Sequence, residues 1–134
     1  MSDLDLRAVL TGVAVDILGS IGIGGALLLL AGNLLGATST EALEELFDVS
    51  MELQVFSLGT GLFFVIAGAF VAARIAKRDE LQHAFAVGVI SAVVSFSCIF
   101  MEPEALPFWY EAVALILTIP VAFAGGWLAL ALDR

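Results

Sequence analysis

Four long apolar runs, divided by short polar segments, organise this chain. They cover about residues 9–35, 55–76, 84–101 and 108–132. Each is long enough to cross ~30 Å of hydrocarbon as an α-helix, which takes about 20 apolar residues. None alternates apolar and polar positions with the period of two that a membrane β-strand requires, so a closed barrel is excluded. The pattern predicts an all-α protein, a single transmembrane domain over residues 1–134 built as a four-helix bundle. The first run exceeds what a span needs, which predicts tilt or emergence from the bilayer. The segment 77–82 is short, so the second and third spans are expected to pack as antiparallel neighbours.

The segment between the first two spans has a helical period of its own. Leu43, Leu46 and Phe47 fall on one face, with Glu41, Glu44 and Glu45 on the other. Thr38 and Glu41 have capping-box spacing, and Ser39 or Thr40 are alternative caps. A short amphipathic helix is expected here, on the outer membrane surface or over the bundle.

Composition agrees with the pattern. Of the 134 residues, 61% are apolar and 14% charged, and the mean hydropathy is +1.08. Globular domains average about 45–50% apolar and about 25% charged, and a soluble chain this short has no core large enough to hide the excess.

Charge adds direction. The formal net charge of -9 excludes nucleic acid as a partner, because phosphate binding needs clustered Lys and Arg. The five basic residues are Arg7, Arg74, Lys77, Arg78 and Arg134. With both termini cytoplasmic, all of them lie on the cytoplasmic side, and the outer loops carry none, as the positive-inside rule requires. Glu41, Glu44, Glu45, Asp48, Glu52, Glu102, Glu104 and Glu111 then fall outside or at the outer boundary. Phe108, Trp109 and Tyr110 mark the outer interface, and Trp127 the inner end. This predicts a multi-pass protein of the cytoplasmic (inner) membrane with lipid as its surroundings. The acidic start, Met1 to Arg7, lacks the basic flank and cleavage site of a signal peptide and is expected to be retained.

The candidate chemistry is sparse. Asp16 lies about 13 Å along the helix from Arg7, inside the first span. An ionisable group at such depth is expensive unless paired or hydrated, so it is expected to face the bundle. Arg74, at a similar depth in the second span, is its expected partner. The pair reads equally as a proton or ion relay and as a structural lock on helix register. His83, the one histidine, opens the third span and reads as an interfacial polar residue. Gly19 and Gly22 in the first span, and Gly68, Ala72 and Ala76 in the second, are small residues of the kind that let helices approach closely. Ser91 and Ser95 stack on the third helix, where their hydroxyls can bond back to the helix or bridge to a neighbour. Pro120 is expected to kink the fourth span. Cys98 is the single cysteine and reads as a small buried hydrophobe. No catalytic, cofactor-binding or metal motif occurs.

The two hairpins show a faint similarity. Leu10-Thr11-Gly12-Val13 aligns with Ala86-Val87-Gly88-Val89, and Ala67-Gly68-Ala69-Phe70 with Ala124-Gly125-Gly126-Trp127. A duplicated hairpin would produce this, and so would the ordinary recurrence of small residues in membrane bundles, which is the favoured explanation.

The stretch Gly68-Ala69-Phe70-Val71-Ala72-Ala73-Arg74-Ile75-Ala76-Lys77, followed by His83-Ala84-Phe85-Ala86-Val87-Gly88, resembles a broad group of small prokaryotic membrane proteins. Those carry G-G-x-x-A-A-R-I-A, a short turn, and H-G/A-x-x-x-G. The match covers about two of the four spans, and Ala69 stands where the group often has a second glycine. The resemblance implies a four-helix inner-membrane protein and singles out Arg74 and His83, with no activity attached.

Two functions are compatible with these features. The first is a non-enzymatic accessory or interaction subunit, assembling as a homo-oligomer or within a larger membrane complex through its small-residue faces. The second is a small oligomeric transporter or channel with Asp16 in its path.

Overall fold

The computed structural model describes residues 4–102 and 105–133. The residues 1–3, Glu104 and Arg134 used in the charge and terminus arguments lie outside that range. The described residues form helices and turns, without strands. Four helices are long and apolar enough to cross a membrane: α1 (Leu6–Leu34), α3 (Met51–Ala76), α4 (Glu80–Met101) and α5 (Phe108–Leu132). The short helix α2 (Thr40–Val49) links α1 to α3.

The helix starts follow from local chemistry. Asp5 caps α1, its carboxylate accepting from the backbone N–H groups of Arg7 and Ala8 at 3.0 and 3.3 Å. Of the candidate caps for α2, Ser39 holds the position, accepting from Ala42 N–H at 3.1 Å. Ser50 caps α3 in the same way through Leu53 N–H. Each satisfies a donor that the first helical turn leaves orphaned. The turn between α3 and α4 is tight enough to place Lys77 and Asp79 in the left-handed region, at φ 56° and 50°. The spans begin earlier than the apolar runs at α1, α3 and α4, because Arg7, Glu52, Gln54, Glu80 and His83 continue the helices beyond the hydrocarbon-like stretch.

Hydrogen bonds establish an up-down-up-down order with both termini at one end. Asp5, before α1, meets His83 at the start of α4, and Arg74 at the end of α3 pairs with Asp133 after α5. The opposite end carries α2. Helix α3 packs along both α1 and α5, and α5 along α4, while α1 and α5 do not touch among the described residues. Helix α1 meets α4 only over its first half, up to Leu18.

That first half is held by close backbone contact. A Cβ on Gly12 would lie 2.8 Å from the Ala72 methyl and 2.9 Å from Val87 Cγ2, and it would press on the Gly68 carbonyl. Gly88 faces Ala122, and Gly126 faces Ala84. Val9, Ala69, Ala72, Ala84, Val87 and Ala122 form a tightly packed core at the end bearing the termini. Small residues bring helices together in lipid, where tail solvation removes most of the hydrophobic drive.

The glycines aligned by the hairpin similarity do not hold equivalent contacts. Gly12 meets Gly68 across the first hairpin, whereas Gly125, the counterpart of Gly68, meets Ile66 and Ala69 on α3 rather than Gly88. The packing gives a duplication no support.

Candidate functional site

Above its packed half, the bundle opens. Within α1 the segment Gly19–Gly24 winds as a π-helix, a wider turn with i→i+5 bonds. From there to Leu34, α1 touches only α2 and α3. Helices α4 and α5 diverge from it, leaving a cleft of about 560 Å³. Its back wall is α3 (Leu58, Gly61, Leu62, Val65), and its sides come from α1, α4 and α5. Glu102, Leu106, Tyr110 and Glu111 line its mouth at the α2 end.

Asp16 lies at the floor. It is ten residues into α1 from Leu6, about 15 Å along a helix of 29 residues. Only 5% of its surface is exposed. Oδ2 accepts a hydrogen bond from the Ser91 hydroxyl of α4, and Oδ1 accepts a long one from the Ser20 hydroxyl at 3.4 Å. On the side away from the cleft, Asp16 packs against Gly68, whose missing side chain makes room for it. The carboxylate therefore rests on closed protein and faces hydroxyls and open space.

The structure separates the pair expected from sequence. Arg74 pairs with Asp133, both side chains being well exposed at 43% and 46%, and Asp16 bonds Ser91 and Ser20 instead. The reason is depth: Arg74 belongs to the last turn of α3, level with the chain termini, whereas Asp16 is drawn inward by Gly68 two turns away.

His83, expected as an interfacial polar residue, lies near the start of α4. It is almost fully buried. Its Nε2 accepts from the Asp5 backbone N–H at 2.9 Å, and its Nδ1 lies 3.0 Å from the Asp79 carbonyl. An amide N–H only donates and a carbonyl only accepts, so these contacts select the neutral ring protonated on Nδ1. His83 ties the start of α1 to the α3–α4 turn.

Among the small residues, Gly68 and Ala72 are buried inside the bundle against Gly12. Gly19 faces the Phe64 ring, Ala76 is half-buried, and a Cβ at Gly22 would meet nothing within 4 Å. Helix α5 continues unbroken through Pro120. Cys98, expected to be buried, is exposed and lines the cleft beside Ser95.

Gln54 lies just before the second apolar run and carries no expectation from the sequence. It is buried near the start of α3, where its amide donates to the Phe47 carbonyl at 2.8 Å and accepts from Trp109 Nε1 at 3.2 Å. Tyr110 adds an edge-on contact with Phe47 and a 3.2 Å hydrogen bond with Ser57. These contacts bind α2 over the bundle and fix the mouth of the cleft. The available signal was a glutamine bordering a span without charged neighbours on either side.

Among the described residues no group of three or more His, Cys, Asp or Glu is arranged to hold a metal. Comparison with protein-family models, with curated proteins and with solved structures found no match.

Proposed function

We propose that this is a non-enzymatic membrane protein that binds and moves a small ligand or ion at Asp16, as a transporter or channel. The observation that carries the reading is the cleft that enters from one end and stops on a buried, hydroxyl-supported carboxylate inside the first span. Below Asp16 the path is closed by Gly12, Gly68 and Val87, so passage requires the packed half to open in a second state, as alternating access does. Intramembrane acids of this kind mark substrate and proton pathways. The placement of Lys and Arg favours both termini in the cytoplasm of a prokaryotic inner membrane, with the cleft open to the outside. The open seam between α1 and α4 favours a homo-oligomer, in which a second copy completes the wall.

The test is ion and solute flux in reconstituted vesicles. Asp16→Asn is expected to abolish flux while the protein remains folded. Unchanged flux in that variant removes Asp16 from the path.

A second reading is an accessory subunit of a larger membrane complex. It draws on the groove between the outer half of α1 and α3, about 450 Å³ in volume, with Gly59 and Phe63 exposed in it. Gly68 and Ala72 are used within the bundle, so such an assembly would draw on the remaining small-residue faces. Native mass spectrometry with retained lipid distinguishes the two: a foreign protein at fixed stoichiometry favours the accessory subunit.

A further inference from the structure

The composition of the cleft specifies a ligand class. Among the described residues, its ionisable lining groups are Asp16 on α1, Cys98 on α4, Glu102 after it, and Tyr110 and Glu111 on α5; α3 contributes none, and no lining residue is basic. The field in the cleft is therefore negative throughout, strongest in effect at the floor, where low-polarity walls screen least. An anion entering meets acids at both mouth and floor with nothing to neutralise it. The walls between are largely aliphatic, from Ile17, Leu62, Val65, Val94 and Leu115. A bare metal ion would leave these walls unused and would find one carboxylate and a few hydroxyls, fewer oxygens than a dehydrated hard cation takes. The volume of about 560 Å³ is that of a site for a drug-sized organic molecule.

We infer that the cleft takes an organic monocation with an apolar body, its ammonium group at Asp16 and its body against α3, α4 and α5. The inference rests on the Asp16 cleft being a ligand site, as proposed above. The ammonium donates to Asp16, while the Ser20 and Ser91 hydroxyls, already donating to that carboxylate, hold it in place. Glu102 and Glu111 at the mouth draw cations in without touching the bound group.

Cys98, the one cysteine of the chain, reports occupancy from inside the cleft. The experiment measures alkylation of Cys98 by a water-soluble maleimide in nanodiscs of phosphatidylcholine, with naphthylmethylammonium, naphthylmethanol or naphthoate added. The ammonium is expected to protect Cys98 saturably, and the alcohol and the acid are not. Asp16→Asn is expected to weaken protection by about ten- to a hundredfold, the value of a charge-assisted hydrogen bond. Thermal unfolding of the variant in mild detergent serves as the folding control. Equal protection by the alcohol and the ammonium overturns the inference, as does protection by naphthoate. If Asp16→Asn does not fold, the three-ligand comparison on the wild type decides alone. Asp16-dependent flux of an inorganic cation without ammonium protection overturns this inference and leaves the transport reading standing. Protection without flux does the reverse.

Discussion

The Ser91 hydroxyl donates a hydrogen bond to the Asp16 carboxylate, joining α4 to α1 at the one level where the packed and open halves of the bundle meet. Removing either partner leaves the other without its principal contact in a water-poor setting. Double-mutant cycles with Asp16→Ala and Ser91→Ala are expected to give a coupling of about 0.6–2 kcal/mol, the range of polar pairs between membrane helices. Unfolding by denaturing detergent measures it. A coupling near zero would mean that water or lipid replaces the hydroxyl at no loss.

Gly12 and Gly22 belong to the same helix and predict opposite responses. Leucine at Gly12 would collide with Ala72, Val87 and the Gly68 carbonyl, and is expected to destabilise the bundle by about 1–3 kcal/mol or more. A Cβ at Gly22 meets nothing within 4 Å, and alanine there is expected to change stability by less than about 0.5 kcal/mol. Thermal unfolding in mild detergent compares the two. Gly68→Leu should behave as Gly12→Leu, because the crowding is mutual.

Gln54→Ala removes both the donor to Phe47 and the acceptor for Trp109. The expected loss is about 1–3 kcal/mol, the penalty for leaving buried polar groups unsatisfied. It should appear as faster amide exchange in α2 and a red-shifted Trp109 emission, with exchange near Gly12 unchanged. Uniform loss of protection across all helices would instead mean that α2 is integral to the bundle.

The Arg74–Asp133 pair predicts little. Exposed pairs contribute about 0–1 kcal/mol, so Arg74→Gln should leave stability almost unchanged and should show no coupling to Asp16→Ala. A coupling above about 1 kcal/mol would restore the Asp16–Arg74 partnership expected from sequence.

Much of the architecture was legible because lipid imposes it. Runs of twenty apolar residues have few alternatives, and the amphipathic period of Leu43, Leu46 and Phe47 is visible without a structure. The depth of Asp16 was also legible, as was the stacking of Ser91 and Ser95. Which groups meet was not. Asp16 and Ser91 are 75 residues apart, and their meeting depends on the angle of α1 against α4, set by Gly12 and Val87 together. Charge complementarity favoured Arg74, but depth decided against it. Gly68 and Ala72 could be recognised as packing residues, yet whether they faced this chain or another depended on a partner, Gly12, that nothing in the sequence sets apart from Gly19 or Gly22. The cleft has no sequence signal of its own, since it is made by what α1 fails to touch after Leu18.

The π-helical segment Gly19–Gly24 bears on chain length. Residues 8, 12, 16, 20, 24, 28 and 32 of α1 repeat every four positions, and in a plain α-helix such a row drifts around the axis by about 40° per step. A wider turn takes up an extra residue and reverses part of that drift. Thus Gly12 faces Gly68 near one end, while Gly32 still faces Leu43 of α2 near the other. Deleting Gly22 would return the segment to ordinary winding and leave both of those contacts in phase. Ser20 and Ile21, on the cleft wall, would be re-aimed. The surplus residue is thus dispensable to the frame of the molecule and bears only on the shape of its interior, which makes single-residue deletion a way to alter the cleft while sparing the bundle.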